Sequence, residues 1–332
     1  MPQSFADIGK NGAIDELYHR AGIERRQGGL SAVTADETVC LGSSFLMEGV
    51  DFNLVYFPLK HLGYKAMTIA VGRIYAQCCH PFCASVRLGV SSKLDFDEIA
   101  SLWEGITVAF REHGLESIDL DLAPSPNGLA ISISVMGKGP VLKRPAPASK
   151  DLVCISGSVG GAFLGMQLLE KGRREFEKEG IRPDLEKYKM LVGDYLKPEI
   201  RPSVAGMLAE AGIVPCAGYL AGAGLADCMK RIASSTGFGV KVYADRIPFE
   251  GGSFDAGKIL DIDPVSAAMS GGEDWRLVYI IPLADAEKFR RDFQTFDIIG
   301  HLAQPEAGTV LVSPDGLEHP VTAPGWKEPE EE

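Results

Sequence analysis

The chain has 332 residues, which predicts two domains, and its composition of 45% hydrophobic and 23% charged residues is that of a globular protein with substantial cores. Its net charge of −12 and isoelectric point of about 5.1 argue against nonspecific binding to nucleic acid or an anionic membrane. No apolar run is long enough to cross a bilayer, the first residues lack a signal-peptide pattern, and the seven cysteines lack a disulfide-framework spacing. We therefore expect a cytoplasmic protein with reduced thiols.

Predicted helices and strands alternate along the first half of the chain. Asp95 is a suitable N-cap for an amphipathic helix that runs to about His113, because acidic residues follow it in the first turn. Residues 117–122 and 129–136 are predicted to pair as two strands around a turn at 124–128. Further helices are predicted at 12–21 and 59–77, and further strands at 39–45, 50–57 and 82–90.

A polar segment with two prolines, residues 143–150, is the predicted linker, and it divides the chain into domains 1–147 and 148–332. The second half is predicted to open with a strand at 152–156 and a glycine-rich helix to about residue 171, followed by a charged helical stretch at 172–190. Its other predicted elements are helices at 200–211 and 224–235 and strands at 240–243, 277–281, 298–302 and 309–312. This loose alternation favours an α+β or α/β class.

Two local patterns leave alternatives open. The segment Cys-Cys-His-Pro-Phe-Cys at 78–83 could hold zinc, but a tetrahedral site usually needs a second ligand cluster, so buried cysteines at a helix end are the preferred interpretation. The glycine-rich turn at Gly157, Gly160 and Gly161 follows a strand and opens a helix. It could cradle a phosphate, or it could allow close packing of the helix on the strand.

The most informative stretch is Ser-Gly-Gly-Glu-Asp-Trp at residues 270–275, where two glycines and two carboxylates precede a buried strand. Such a turn could orient a substrate or a hydrated cation, or it could be a polar turn before a core strand. The stretch resembles the Gly-Gly-Glu-Asp-Tyr signature of the thiamine-monophosphate kinases, which share a superfamily with aminoimidazole ribonucleotide synthetase. Segments at 47–52, 61–66, 196–198, 246–248 and 299–301 resemble other parts of that family in the same order.

The resemblance implies an α+β fold of two α/β domains, in which the sheet of the N-terminal domain joins its twin in a homodimer and ligands lie between the domains. It implies ATP and Mg²⁺ as cofactors and a small phosphorylated molecule as partner, because the family transfers the γ-phosphoryl group of ATP to thiamine phosphate. Catalytic roles fall on Asp121 and Asp274, with Asp121 also as a remaining metal ligand. Nucleotide contacts fall on Gly157, Gly160 and Lys197, and substrate contacts on Glu48, Asp51, Gly271, Gly272, Glu273 and Trp326.

Most of the metal-binding acids of the family are replaced in this chain. Gly29 and Leu30 stand where the family has an early pair of acids, Ser44 replaces another acid, and Arg73 reverses the charge of a third. The later acidic motif falls on residues 220–225, which contain no acid, although Asp227 lies nearby. Magnesium prefers several converging oxygen ligands, so these changes predict weak or lost kinase activity. The alternatives are a noncatalytic protein that binds a nucleotide or thiamine phosphate, and an enzyme acting on another phosphorylated heterocycle.

Overall fold

Two β-sheets, each built from one half of the chain, organise the fold. The computed structural model describes residues 5–23, 30–34, 36–180 and 183–323. Within these residues the architecture mixes helices and strands throughout, as predicted. The elements of the first half are α1 (Phe5–Ile8), α2 (Lys10–Ala21), β1 (Leu30–Val33), β2 (Glu37–Met47), α3 (Leu59–Tyr75), β3 (His80–Ser91), α4 (Phe96–Glu112), β4 (Ser117–Ser125) and β5 (Ala130–Pro140).

Helices α3 and α4 pack against each other beside the first sheet. The predicted start of α4 is confirmed, because the Asp95 carboxylate accepts a hydrogen bond from the Glu98 amide while the Glu98 carboxylate accepts one from the Asp95 amide, both at 2.9 Å. The two helices approach closely at Gly105, where an added Cβ would lie 1.8 Å from the carbonyl oxygen of Lys60. Helix α3 is therefore buried along most of its length.

The first sheet has the strand order β1-β2-β5-β3-β4, which corrects the predicted hairpin between residues 117–122 and 129–136. Strand β4 runs parallel to β3 because α4 carries the chain back between them as a crossover. Strand β5 pairs instead with both β2 and β3. This central position buries Ile131, Ile133 and Val135, whereas most residues of the edge strand β4 are exposed.

The predicted strand at residues 50–57 is also wrong, because the chain turns directly after β2. Gly49 adopts a positive φ of 79°, and the Asp51 carboxylate accepts a hydrogen bond from the amide of Met47 at 2.9 Å. This local bond closes a turn, so the apolar residues that follow reach the core without pairing as a strand.

The second sheet is mixed and has the order β12-β11-β8-β10-β6-β9-β7. The predicted helical stretch at 172–190 is divided, because α5 ends at Glu179 and Gly180 takes the left-handed conformation that stops a helix. The elements of this half are β6 (Leu152–Ser156), α5 (Gly161–Glu179), α6 (Lys189–Leu196), α7 (Val204–Glu210), β7 (Ala217–Ala221), α8 (Gly224–Thr236), β8 (Gly239–Tyr243), α9 (Ser253–Leu260), α10 (Pro264–Ser266), β9 (Arg276–Ile281), α11 (Ala286–Asp292), β10 (Phe296–Ala303), β11 (Thr309–Val312) and β12 (Glu318–Pro320).

The two halves share a hydrophobic core along the C-terminal part of α3. The Tyr279 hydroxyl donates a hydrogen bond to the carbonyl of Tyr75 at 2.6 Å, and an added Cβ on Gly218 would lie 1.9 Å from the carbonyl oxygen of Ala76. In the segment between the sheets, the Arg144 guanidinium donates to the Gln77 carbonyl at 2.8 Å, which fastens that segment to the end of α3. In the described part of the chain, no helix combines the length and apolar character that a membrane span requires.

Candidate functional site

The stretch at 270–275 forms a tight, buried loop between α10 and β9. A π-helical turn ends at Gly271, where an added Cβ would lie 2.4 Å from the Phe163 ring. Gly272 has a φ of 78°, and an added Cβ there would lie 2.7 Å from the carbonyl oxygen of Gly222. That same carbonyl accepts a hydrogen bond from the amide of Glu273 at 2.8 Å. Gly271 therefore leaves room for the Phe163 ring, and Gly272 allows close packing against the backbone of Gly222.

The carboxylate of Glu273 forms an ion pair inside the protein. Its Oε2 lies 2.9 Å from Nζ of Lys65 on α3, and both side chains are at most 3% exposed. The Lys65 ammonium also donates to the carbonyl of Tyr195 at 2.9 Å and lies 3.9 Å from the centroid of the Tyr195 ring. The indole nitrogen of Trp275 donates to Glu273 at 3.4 Å. Glu273 thus joins the two halves of the chain.

Asp274 caps the N-terminus of α5. Its two carboxylate oxygens accept hydrogen bonds from the amides of Gly160 at 2.9 Å and Ala162 at 3.2 Å. Burial raises the pKa of Asp274 to about 7, while the bond from Gly160 and the charge of Arg276 act in the opposite direction. The amides of the glycine-rich turn, one candidate cradle for a phosphate, therefore hold a carboxylate of the protein itself.

Arg276 connects this capped helix to a second acidic side chain. Its Nη2 lies 2.9 Å from Oδ1 of Asp194, and its Nε donates to the carbonyl of Ser158 at 2.9 Å. The Ser158 hydroxyl in turn donates to Glu250 at 3.2 Å. Burial raises the pKa of Asp194, and Arg276 opposes that shift. An added Cβ on Gly157 would lie 3.6 Å from Nε of Arg276, so the turn also borders this network.

Of the remaining candidates in the first half, Glu48 and Asp51 belong to the turn after β2, and Asp121 lies apart from them on β4. Asp51 is linked to the buried pair through its carbonyl, which accepts a hydrogen bond from the Tyr195 hydroxyl at 3.3 Å. The Glu48 carboxylate accepts a hydrogen bond from the amide of Leu129 at 2.7 Å, which fixes the turn after β2 to the start of β5. Asp121 lies on the exposed edge strand β4 and accepts a hydrogen bond from the next amide in the chain.

Lys197 lies just after α6 and is partly exposed. Its ammonium is 3.3 Å from Glu199 and 4.8 Å from the centroid of the Tyr64 ring. In the ranges that the structure describes, no hydrogen bond or ion pair joins Lys197 or Asp121 to the turn at Gly157 and Gly160. Trp326 lies outside the described residues.

At the described positions where the family resemblance places metal-binding acids, this chain offers magnesium few carboxylates. Ser44 is buried and its hydroxyl donates to the carbonyl of Ala66 at 2.8 Å, while Arg73 supplies a positive charge. The space beside Gly222 is filled, since an added Cβ would lie 2.2 Å from the Trp275 ring. Among the described residues, no group of three or more histidine, cysteine, aspartate or glutamate side chains could hold a metal ion.

The cysteine-rich segment at 78–83 is buried only in part, since His80 is exposed. Cys78 and Cys79 are buried just after α3, as predicted for structural cysteines at a helix end, while Cys83 lies on β3. Burial raises the pKa of Cys78, whereas a hydrogen bond with Cys40 lowers the pKa of Cys79.

Sequence reasoning missed three residues that hold this region together. Lys65 stood inside a matched segment, but nothing in the sequence assigned it a partner. Arg276 directly follows the stretch at 270–275, and the start of a largely buried strand is an unusual place for an arginine, which was a usable signal. Tyr195 carried no signal, because its hydroxyl and ring contact residues that are distant in the chain.

Comparisons with known proteins identify relatives of low identity that span most of the chain. No protein-family model matches it. The thiamine-monophosphate kinase of Bacillus subtilis is 23% identical over 289 residues, which cover 84% of each chain. A solved structure of AaThiL complexed with AMPPCP and TMP has a TM-score of 0.83 at 21% identity and covers 98% of this chain and 99% of that one. A HypE–HypF complex structure has a TM-score of 0.65 at 16% identity and covers 93% and 98%.

Proposed function

From the premise that this chain is a divergent member of the thiamine-monophosphate kinase family, we propose that it binds a phosphorylated small molecule and transfers phosphoryl groups weakly or not at all. The relatives supply the first part of the proposal, since one solved structure of this fold contains AMPPCP and TMP. ATP and thiamine phosphate are therefore the first ligands to consider for this chain. Its own residues supply the second part.

The proposal rests on the contacts that the two neighbouring acids of the signature, Glu273 and Asp274, make within the protein. Glu273 neutralises a buried lysine and Asp274 caps a helix, so both carboxylates are occupied within the protein. Asp121, the acid retained at a matched position, lies exposed on β4. Phosphoryl transfer depends on cations and dipoles positioned around the phosphates. Losing one such stabilising group costs a factor on the order of 10²–10³ in rate, and this chain has lost several.

The direct test is an assay for thiamine diphosphate with ATP, magnesium and thiamine phosphate, run beside the Bacillus subtilis enzyme. We expect kcat at least about 10³-fold below that of the relative. Turnover comparable to the relative would contradict the proposal.

The structure selects the control for that assay. Glu273→Ala and Asp274→Ala each remove a buried carboxylate that has partners inside the protein. A loss of activity in these variants would not be distinguishable from unfolding. Asp121→Asn changes an exposed carboxylate and leaves the core intact. If residual turnover depends on the retained acid, Asp121→Asn abolishes it while the melting temperature stays unchanged.

We also propose a homodimer formed through the first sheet. The face of β2 and β5 that points away from α3 exposes large apolar side chains, with Phe45 62% exposed, Met47 39% and Met136 41%. Apolar side chains gathered on an open sheet face favour burial against a partner. A second copy of the chain is the partner that the family resemblance implies.

A further inference from the structure

Two tyrosine hydroxyls hold one turn of the first half against the second half of the chain. Residues 48–57, the docked turn, lie between β2 and α3. The Tyr56 hydroxyl donates a hydrogen bond to Oε1 of Glu170 on α5 at 2.6 Å, across 114 residues of sequence. The Tyr195 hydroxyl, near the end of α6, donates to the carbonyl of Asp51 at 3.3 Å. The turn is therefore fastened to two helices of the other half.

Glu170 is held in place as an acceptor by its own helix. Its Oε2 accepts a hydrogen bond from Nε of Arg173 at 3.0 Å, and Nη1 of Arg173 donates to both carboxylate oxygens of Glu177, at 2.9 and 3.0 Å. The Glu170 side chain is 12% exposed. Burial raises the pKa of the Tyr56 hydroxyl, and the bond to Glu170 raises it further, so the hydroxyl remains a donor at physiological pH. Of the two docking bonds, this one is the shorter and has a charged acceptor, which makes it the stronger.

The docked turn is closed on itself, so its position is set as one unit. The Asp51 carboxylate accepts a hydrogen bond from the Met47 amide at 2.9 Å, and the Gly49 amide donates to the Phe52 carbonyl at 2.9 Å. Phe52 and Phe57 are 3% and 2% exposed, so the turn also has apolar anchors. Its contacts with the second half therefore position the turn as a whole.

The docked turn and α5 both adjoin residues to which the family resemblance assigns ligand contacts. Glu48 and Asp51 belong to the turn, and Gly157 and Gly160 precede the first residue of α5. The two sets come from opposite halves of the chain, so a ligand that contacts both requires the halves to keep one arrangement. An arrangement that exists before binding lowers the cost of ordering the site. Tyr56 joins the turn to the helix that follows the glycines.

We infer that Tyr56 is a positioning residue, which holds the docked turn against α5 through Glu170 and so sets Glu48 and Asp51 relative to the glycine-rich turn. The inference rests on the proposed function, because it specifies how the chain arranges its site for a phosphorylated ligand. Without this bond the turn separates from α5 in a larger fraction of molecules, and only the docked fraction is competent to bind.

The test compares Tyr56→Phe with the wild type by hydrogen exchange in the absence of ligand. We expect the amides of residues 48–57 to exchange at least about tenfold faster in the variant, because loss of a hydrogen bond to a charged acceptor favours local opening by that factor. Glu170→Gln keeps a neutral acceptor and should show a smaller increase. Tyr64→Phe is the matched control, since the Tyr64 hydroxyl donates to Glu112 at 2.9 Å within the first half. In this control the docked turn should exchange as in the wild type.

Isothermal titration with AMPPCP and with thiamine phosphate measures the consequence for the ligand. Tyr56→Phe should raise Kd severalfold, up to about tenfold, because the docked fraction falls. Tyr64→Phe loses a bond of the same kind at a place away from the docked turn and should bind as the wild type does.

Each outcome decides the inference. Unchanged exchange in the docked turn of Tyr56→Phe would overturn it, and so would equally fast exchange in Tyr64→Phe, which would indicate general destabilisation. Faster exchange with unchanged affinity would mean that docking does not serve the ligand site, and the positioning role would be wrong. If the wild type binds neither probe, the proposed function fails, while the exchange measurement still decides whether Tyr56 docks the turn.

Discussion

At the scale of the residue, Asp274 combines burial with helix capping, and the two effects oppose each other. Burial disfavours the charged form, whereas the amides of Gly160 and Ala162 favour it. The net result raises the pKa from its ordinary 3.8 to about 7. The carboxylate is therefore part of the interior even though it lies at a helix terminus.

This pKa predicts a pH dependence of stability. Because the folded-state pKa is raised, ionisation of Asp274 costs nothing below about pH 4, costs progressively more up to pH 7, and carries its full cost above pH 7. Relative to Asp274→Asn, the free energy of unfolding of the wild type should fall by up to about 4 kcal/mol across that window. Urea denaturation at several pH values measures the difference. Asp97→Asn, on the exposed first turn of α4, is the control, and an equal trend in both variants would contradict the prediction.

At the scale of the element, α3 and α4 can pack closely because glycines stand where the two helices cross. Gly105 lies against the carbonyl of Lys60, and an added Cβ on Gly63 would lie 2.1 Å from the carbonyl oxygen of Leu102. Backbone atoms cannot move aside as a flexible side chain can. The position of α3, and with it Lys65 and Arg73, therefore depends on these two glycines.

Gly105→Ala should accordingly destabilise the protein by about 1–3 kcal/mol or more, because the new methyl group forces the helices apart. Gly193→Ala is a matched change inside α6, where no atom lies within 4 Å of the added Cβ. There the helix propensity of alanine should stabilise the protein by about 0.5–1 kcal/mol. Chemical denaturation of both variants tests the pair, and a stabilising Gly105→Ala would refute the packing argument.

At the scale of the whole molecule, the pair of Lys65 and Glu273 fastens the first half of the chain to the second. Both charges are out of water, and their hydrogen-bond partners include the Trp275 indole and the Tyr195 carbonyl. A buried ion pair adds little stability compared with an apolar pair, but breaking it leaves a charge without compensation. We expect its main effect to be on the specificity with which the two halves are arranged.

A double-mutant cycle tests this coupling. Lys65→Met and Glu273→Gln should each lower the free energy of unfolding by about 3–5 kcal/mol, while the double variant should lose clearly less than the sum. The exposed pair of Lys60 and Glu104, 2.5 Å apart, should show a coupling of no more than about 1 kcal/mol. Additive losses at Lys65 and Glu273 would mean that the two charges do not depend on each other.

Local patterns predicted the helices and strands whose signals lie within a few neighbouring residues. The capping box at Asp95 and the apolar run of α3 are examples, because a helix start and a buried face depend on residues close in the chain. The matched segments also predicted the mixed α/β fold with its two sheets, which agrees with the fold of a solved structure at a TM-score of 0.83. The hairpin between β4 and β5 was predicted wrongly, since the crossover through α4 decides which strands become neighbours.

The sequence by itself determined the composition, the main elements and the resemblance to the thiamine-monophosphate kinases, because each of these can be read from residue identity and short-range order. Only the tertiary structure decided which partners the charged side chains contact. Glu273 reaches Lys65 across more than 200 residues, Asp274 reaches Gly160 across 114, and Asp227 meets Asn11 across 216. Burial selects these partners, because a charge removed from water is stabilised only by an opposite charge or an amide that the folded chain places beside it.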